Sequence, residues 1–154
     1  MMEARAVSES TNGGKIPRLH ELAEFRFQLR SFLSFSEVVS EACGIATQQY
    51  QLMQVIGSLP PGAQASISYI ADRMILRHNS TVELVDRAEK AGLVQRRNDE
   101  KDLRRSLVQL TPHGRALLEQ LVAQHVQELE KQAPTLVSAL QVLTSKKNEE
   151  ALEG

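Results

Sequence analysis

The chain has 154 residues, of which 42% are hydrophobic and 24% charged, with a formal net charge of −1; this fits one domain and excludes disordered, collagen-like and low-complexity classes. No apolar run approaches the roughly 20 residues that span a bilayer, and Met1 to Lys15 lacks the apolar stretch of a secretion signal. The single Cys43 excludes an intrachain disulfide framework, so a cytoplasmic protein without membrane contact is expected.

Residues 1–16 read as a flexible leader. Pro17 suits the first turn of a helix, and no breaker follows until Gly44, which places a long first helix within residues 17–46. Its Leu22, Phe25, Leu29, Phe32, Ser36 and Val39 recur at spacings of three and four, an apolar stripe with Ser36 as its weak point. Phe25, Phe27, Phe32 and Phe35 all lie here, either to pack a core or subunit interface or to line a ligand pocket.

Thr47 is the expected N-cap of a second helix, Gln48 to Leu59, ended by Pro60 and Pro61. Ser66 can cap a third through Ile70, Ala71 and Met74, and a short connection from Leu76 to Asn79 leads into a fourth that ends at Gly92. In that fourth helix Thr81, Leu84, Val85 and Ala88 share the buried face, leaving Asn79, Ser80, Val82, Glu83, Arg87 and Lys90 outward or along its edges.

Leu93 to Arg97 and Arg105 to Thr111 read as two strands around a highly charged connection, a hairpin. Thr111 followed by Pro112 is a strong start for a fifth helix, which should run to about Gln132 before Pro134 interrupts. A sixth helix carries Leu136, Val137, Leu140 and Leu143, then fades over Lys146 to Glu150. The fold class expected is mainly α with a small β-hairpin.

The near-neutral total hides a contrast. From Arg73 to Arg105 nine basic residues stand against six acidic ones, a local +3 against −4 over the rest of the chain. A basic segment in an otherwise acidic chain is the footprint of a nucleic-acid face, with solvated charge as the plainer alternative. Spacing supports the former: two short helices, a tight turn and a charged hairpin make a helix-turn-helix with a wing. A helix fits the major groove and presents polar side chains to base edges, while a basic hairpin reaches phosphates or the minor groove.

Four runs in order, Ile70-Ala71-Asp72-Arg73, Val85 to Val94, Asp99 to Arg105 and Leu110-Thr111-Pro112-His113-Gly114, resemble the MarR family of winged helix-turn-helix regulators over roughly Leu19 to Leu143. The resemblance implies a homodimer whose first and last helices interlock, each lobe reading half of a pseudo-palindromic operator in double-stranded DNA. It implies repression, with release by a small, often aromatic, ligand. The domains expected are the leader 1–16, a dimerisation helix at 17–46, the winged lobe at 47–111 and C-terminal dimerisation helices at 112–154. The apolar surplus of helices 1, 5 and 6 points independently to an interface.

The expected DNA-binding residues are Arg77, His78, Asn79, Ser80, Val82, Glu83 and Arg87 around the fourth helix, with Arg96, Arg97, Lys101, Asp102, Arg104 and Arg105 of the wing. The Asp102-x-Arg104 pattern resembles the family wing, where the aspartate orients the arginine toward the minor groove; a rim salt bridge is the alternative. Val82 could meet a thymine methyl or fill the edge of the core. Glu83 departs from the neutral or basic residue of many relatives; it would repel phosphate or accept from cytosine N4.

Arg30, Phe32, Phe35 and Tyr50 are the candidates for an effector site bounded by helices 1, 2 and 5, three aromatic walls and a carboxylate partner, with ordinary packing as the alternative. Cys43, beside Glu41 and with no second cysteine, reads as a buried structural residue rather than an oxidant sensor. The four histidines lack metal-ligand spacing, and His125 reads as a hydrogen-bonded core residue, so neither metal nor cofactor is expected. A Gly-rich phosphate loop and a nucleophile elbow are absent, which argues against an enzyme. The competing class, a winged-helix protein-interaction or dimerisation module without DNA binding, predicts a neutral wing in place of this charged one.

Overall fold

The computed structural model describes residues 14–152, with side chains to Ser145. The expected leader therefore lies almost wholly outside the described residues. Five helices and one hairpin follow in order: α1 (Leu19–Ala42), α2 (Thr47–Gly57), α3 (Ile67–Met74), α4 (His78–Lys90), β1 (Val94–Asn98), β2 (Ser106–Leu110) and α5 (Pro112–Leu152).

α1 begins two residues after Pro17, because Arg18 adopts a left-handed backbone (φ 63°). Its guanidinium donates to the carbonyls of Val142 and Leu143, tying the start of α1 to the far part of α5. Gly44, at φ 78°, takes the left-handed position that ends a helix cheaply.

α2 starts at Thr47 itself, one residue earlier than expected. Its N-cap is Ala46, and the deficit is met from the third helical position, where Gln49 Oε1 accepts the Ala46 N–H at 3.0 Å. α3 has the expected cap, with Ser66 Oγ accepting the Tyr69 N–H at 3.2 Å. The turn to α4 is shorter than expected, so Asn79 lies in the first turn of α4. There the buried Thr81 donates from Oγ1 to the Arg77 carbonyl at 2.9 Å.

The hairpin pairs Val94 with Leu110 through to Asn98 with Ser106, antiparallel. A bridge between Ser66 and Leu107, with the Val108 N–H donating to the Ala65 carbonyl at 2.9 Å, anchors the wing to the entry of α3. This short third strand contact carries no periodic signal in the sequence. Thr111 caps α5, its Oγ1 accepting the Gly114 N–H at 3.0 Å, and the same hydroxyl donates to the Gly92 carbonyl at 2.5 Å, tying the helix start to the end of α4.

The separate fifth and sixth helices expected around Pro134 are one continuous helix. Proline removes one intrahelical bond and costs about 3 kcal/mol in a helix interior. Here Pro134 is exposed, so water can serve the carbonyl left without its donor. Packing along α1 holds both halves in line, with Ala139 buried beyond the proline and Arg18 bonded at Val142 and Leu143.

The core lies in the lobe. Leu52 and Met53 of α2, Ile70 of α3, Leu84 and Val85 of α4, Leu93, Val94 and Val108 of the hairpin close on Leu121 of α5. The α1 stripe is buried only at its C-terminal half: Ser36 is 5% exposed, whereas Leu22 is 49% exposed and Leu29 is open as well. Val126, Val137 and Leu140 of α5 are similarly uncovered. No helix among the described residues is long and apolar enough to cross a membrane.

Gly114 is required by a close approach. A Cβ there would stand 2.0 Å from the Leu93 carbonyl oxygen and 2.9 Å from its carbon, both backbone atoms that cannot turn aside. Gly114→Ala should therefore pry the start of α5 from β1 and cost at least about 1–3 kcal/mol. Urea unfolding should show a lower midpoint than for the same substitution at exposed Gly14, which has open space around it.

Candidate nucleic-acid interface

α4 turns Thr81, Leu84, Val85 and Ala88 into the core. By the helical period, His78, Asn79, Ser80, Glu83, Asp86, Arg87 and Lys90 are left exposed, with Arg77 just ahead of them, and Val82 half-buried at the edge. Most of the expected base-reading residues thus share one open surface.

The wing is folded by its aspartates. Asp99, 4% exposed, accepts the Lys101 N–H through Oδ1 at 2.9 Å and donates its own N–H to the Arg105 carbonyl at 3.0 Å. Asp102 Oδ1 accepts the Arg104 N–H at 3.0 Å, while its carbonyl accepts the Arg105 N–H at 3.0 Å. Asp102 therefore shapes the backbone beneath Arg104. It does not grip the guanidinium, which has no ion pair among the described residues. A short carboxylate two residues back bonds the main chain readily, as in an Asx turn.

Lys101, Leu103, Arg104 and Arg105 are exposed. Arg104, Arg105 and His78 meet at a cavity of about 300 Å³ between the wing root and the starts of α3 and α4, where Ser68 and Ser106 also contribute. Two expected wing residues are engaged elsewhere. Arg97 bonds Gln109 across the hairpin, with Oε1 accepting from Nε at 3.2 Å and Nη1 at 3.1 Å in the amide orientation that satisfies both. Arg96 turns back onto α4: Nη2 lies 2.6 Å from Asp86 Oδ1, Nη1 3.2 Å from Glu89 Oε1, and its N–H donates to Glu89 Oε2 at 2.9 Å. Arg96 thus fixes the wing against the exposed helix. The spacing of Asp86 and Glu89, one turn apart on α4, was a signal that the sequence reading left unused.

A second site lies in the helical body. His125 of α5 is 6% exposed, as expected of a core histidine. Its Nδ1 meets the Leu121 carbonyl at 2.6 Å and its Nε2 meets Ser36 Oγ at 2.9 Å. Because a carbonyl can only accept, Nδ1 carries a proton and donates to it, while Nε2 pairs with the serine hydroxyl. The ring stacks on Tyr50 at 4.4 Å and receives Phe32 and Phe35 edge-on. Burial raises the Tyr50 phenol above its ordinary pKa, a hydrogen bond with Gln54 pulling partly the other way.

Phe32, Tyr50 and His125 line a cavity of about 210 Å³ with Leu33, Val126 and Leu129. Phe35 faces instead a cavity of about 360 Å³ beside Cys43, Gln124 and Lys131. Arg30 is exposed and lines neither, so the four expected effector residues do not form one site. A position on the open side of α1, two residues from Phe32, cannot share its inward face. Cys43 is half-buried rather than buried, with Gln120 Nε2 at 3.9 Å from its sulfur.

Together these features define a winged helix-turn-helix lobe on a two-helix body. The MarR family model matches residues 44–105, the greater part of this lobe. The fold is similar to that of AbsC, a MarR family transcriptional regulator from Streptomyces coelicolor, at 20% identity and a TM-score of 0.66 over 92% of this chain and all of that one. It is similar to a mutant MarR from E. coli complexed with operator DNA, at 18% identity and a TM-score of 0.66 over 86% of this chain and 98% of that one. A mutant MepR from S. aureus, bound to an oligodeoxyribonucleotide, gives 21% identity and a TM-score of 0.61 over 86% and 92% of the two chains. No curated protein matches the sequence.

If Arg96 sets the wing, Arg96→Ala should raise amide hydrogen exchange through β1 and β2 while leaving α1 and α5 as protected as before. A network of two partly exposed pairs is worth about 1 kcal/mol, so the change in exchange should be about five-fold. Arg96→Lys, which keeps charge but not the fork, should fall between the two.

Proposed function

We propose that the chain is a homodimeric, sequence-specific DNA-binding transcriptional repressor that a small apolar ligand releases from its operator. The observation that carries this reading is the combination of an open α4 face with a folded wing whose Lys101, Arg104 and Arg105 are exposed and without ion pairs among the described residues. α4 enters the major groove, and the wing meets phosphates or the adjacent minor groove. The DNA-bound MarR and MepR structures support it by their fold.

Dimerisation covers the apolar faces of α1 and α5, which the described residues of one chain leave open, and sets two α4 helices against successive half-sites. The domain division follows: α1 and α5 as dimerisation helices, the segment between them as the reading lobe. The cavity walled by Phe32, Tyr50 and His125 is the effector site. It touches α1, α2 and α5 at once, so a ligand there favours one spacing of the lobes over another. With apolar walls and no cation among its lining residues, it suits a neutral aromatic better than a carboxylate. Such regulators act in the cytoplasm, where the DNA is.

The test is fluorescence anisotropy against duplexes from the regulator's own promoter. Arg104→Ala should weaken binding at least about ten-fold and make log affinity less steep against log salt by roughly one contact's worth. Unchanged affinity and slope would remove the wing from the interface. A neutral phenol should release the wild-type complex at lower concentration than it releases Phe32→Ala.

A further inference from the structure

Three carboxylates follow one another along the outward side of α4: Glu83, Asp86 and Glu89. Two share one cation, since Asp86 and Glu89 together hold Arg96 at 2.6 and 3.2 Å. Glu83 is different. It is exposed, and no hydrogen bond or ion pair engages it among the described residues, although Arg87 stands one turn further along the same side. Asn79 lies one turn before it and is open as well.

An unpaired anion on a helix that meets a polyanion repels phosphate, and so works against general affinity. It contributes only where it finds a donor. A carboxylate carries acceptors alone, and the major groove offers two kinds of base donor, cytosine N4 and adenine N6. On the adenine edge the donor sits beside the N7 acceptor, which repels a carboxylate and is matched by an amide instead. Cytosine presents its donor without that neighbour. Arg87, four residues on, is free to supply the phosphate contact that offsets the repulsion.

We propose that Glu83 is a specificity-determining residue that selects a cytosine at one position in each operator half-site. The inference rests on the DNA-binding reading above and adds to it the base that the helix demands. It separates this chain from a lobe that gains affinity by adding positive charge, because Glu83 gives up non-specific attraction for discrimination.

The experiment is selection from a randomised duplex library with the full wild-type chain, Glu83→Gln and Glu83→Ala, read by sequencing. Wild type should enrich cytosine at one base pair per half-site, with other bases disfavoured about ten-fold or more. Glu83→Gln should move that position toward adenine, whose N6 and N7 suit an amide. Glu83→Ala should lose the preference there alone, and bind random duplex more tightly than wild type. Both variants replace an exposed side chain, and matching thermal melts confirm that the fold is kept. Variants that enrich the same bases as wild type at every position would overturn the proposal while leaving DNA binding intact. A wild-type chain that enriches no sequence would overturn the DNA-binding reading, and the cytosine with it.

Discussion

The imidazole of His125 bonds Ser36 of α1 through one nitrogen and the Leu121 carbonyl of α5 through the other, and lies flat against Tyr50 of α2. A buried polar group is tolerated only when it is satisfied, and loss of one partner leaves a desolvated atom worth about 1–3 kcal/mol. The Leu121 bond lies within α5 and fixes the ring, the Ser36 bond ties it to α1 and the stack on Tyr50 ties it to α2, so one side chain links the three helices. α2 belongs to the reading lobe, and α1 and α5 form the body. The place of the lobe on the body therefore depends on this contact, as does the aromatic cavity that opens beside it.

From that junction the two parts of the molecule meet different physical demands. The lobe closes its own core, down to Leu121, and can present a polar outer face. The body cannot: Leu22, Leu33, Val126 and Val137 lie largely open along α1 and α5. Uncovered apolar residues on two long helices that already pack together are the observation on which the proposed dimer rests. Within the lobe, charge is sorted rather than merely abundant. Asp86 and Glu89 fasten Arg96, Asp99 and Asp102 fold the wing loop, and the guanidinium of Arg104 is left for a partner. This sorting explains how a chain of net charge −1 can offer a basic surface.

Much of this was legible in the sequence, for reasons that can be traced. Thr81, Leu84, Val85 and Ala88 keep a strict helical period, so the face of α4 could be read directly. Ser66 and Thr111 have side chains that cap helices, and both do. Pro134 predicts a break that does not occur, because local propensity disfavours proline in a helix while the packing of α5 along α1 and the long-range contact of Arg18 with Val142 and Leu143 hold the helix together. Arg96 read as one more wing charge, since its partners lie seven and ten residues away across a turn. Arg30 read as a neighbour of Phe32 because proximity along the chain is not a shared helix face. Ile75 takes a left-handed backbone at φ 56°, a place where glycine or asparagine is the usual choice, and gave no sequence signal at all.

The central claim is that the open faces of α1 and α5 close against a second copy, so that two lobes act on one duplex. Sedimentation equilibrium of the full chain at micromolar concentration tests it most directly. The account predicts a mass of twice the chain, kept on dilution through that range. A single chain mass, with α1 and α5 still helical by circular dichroism, would contradict it.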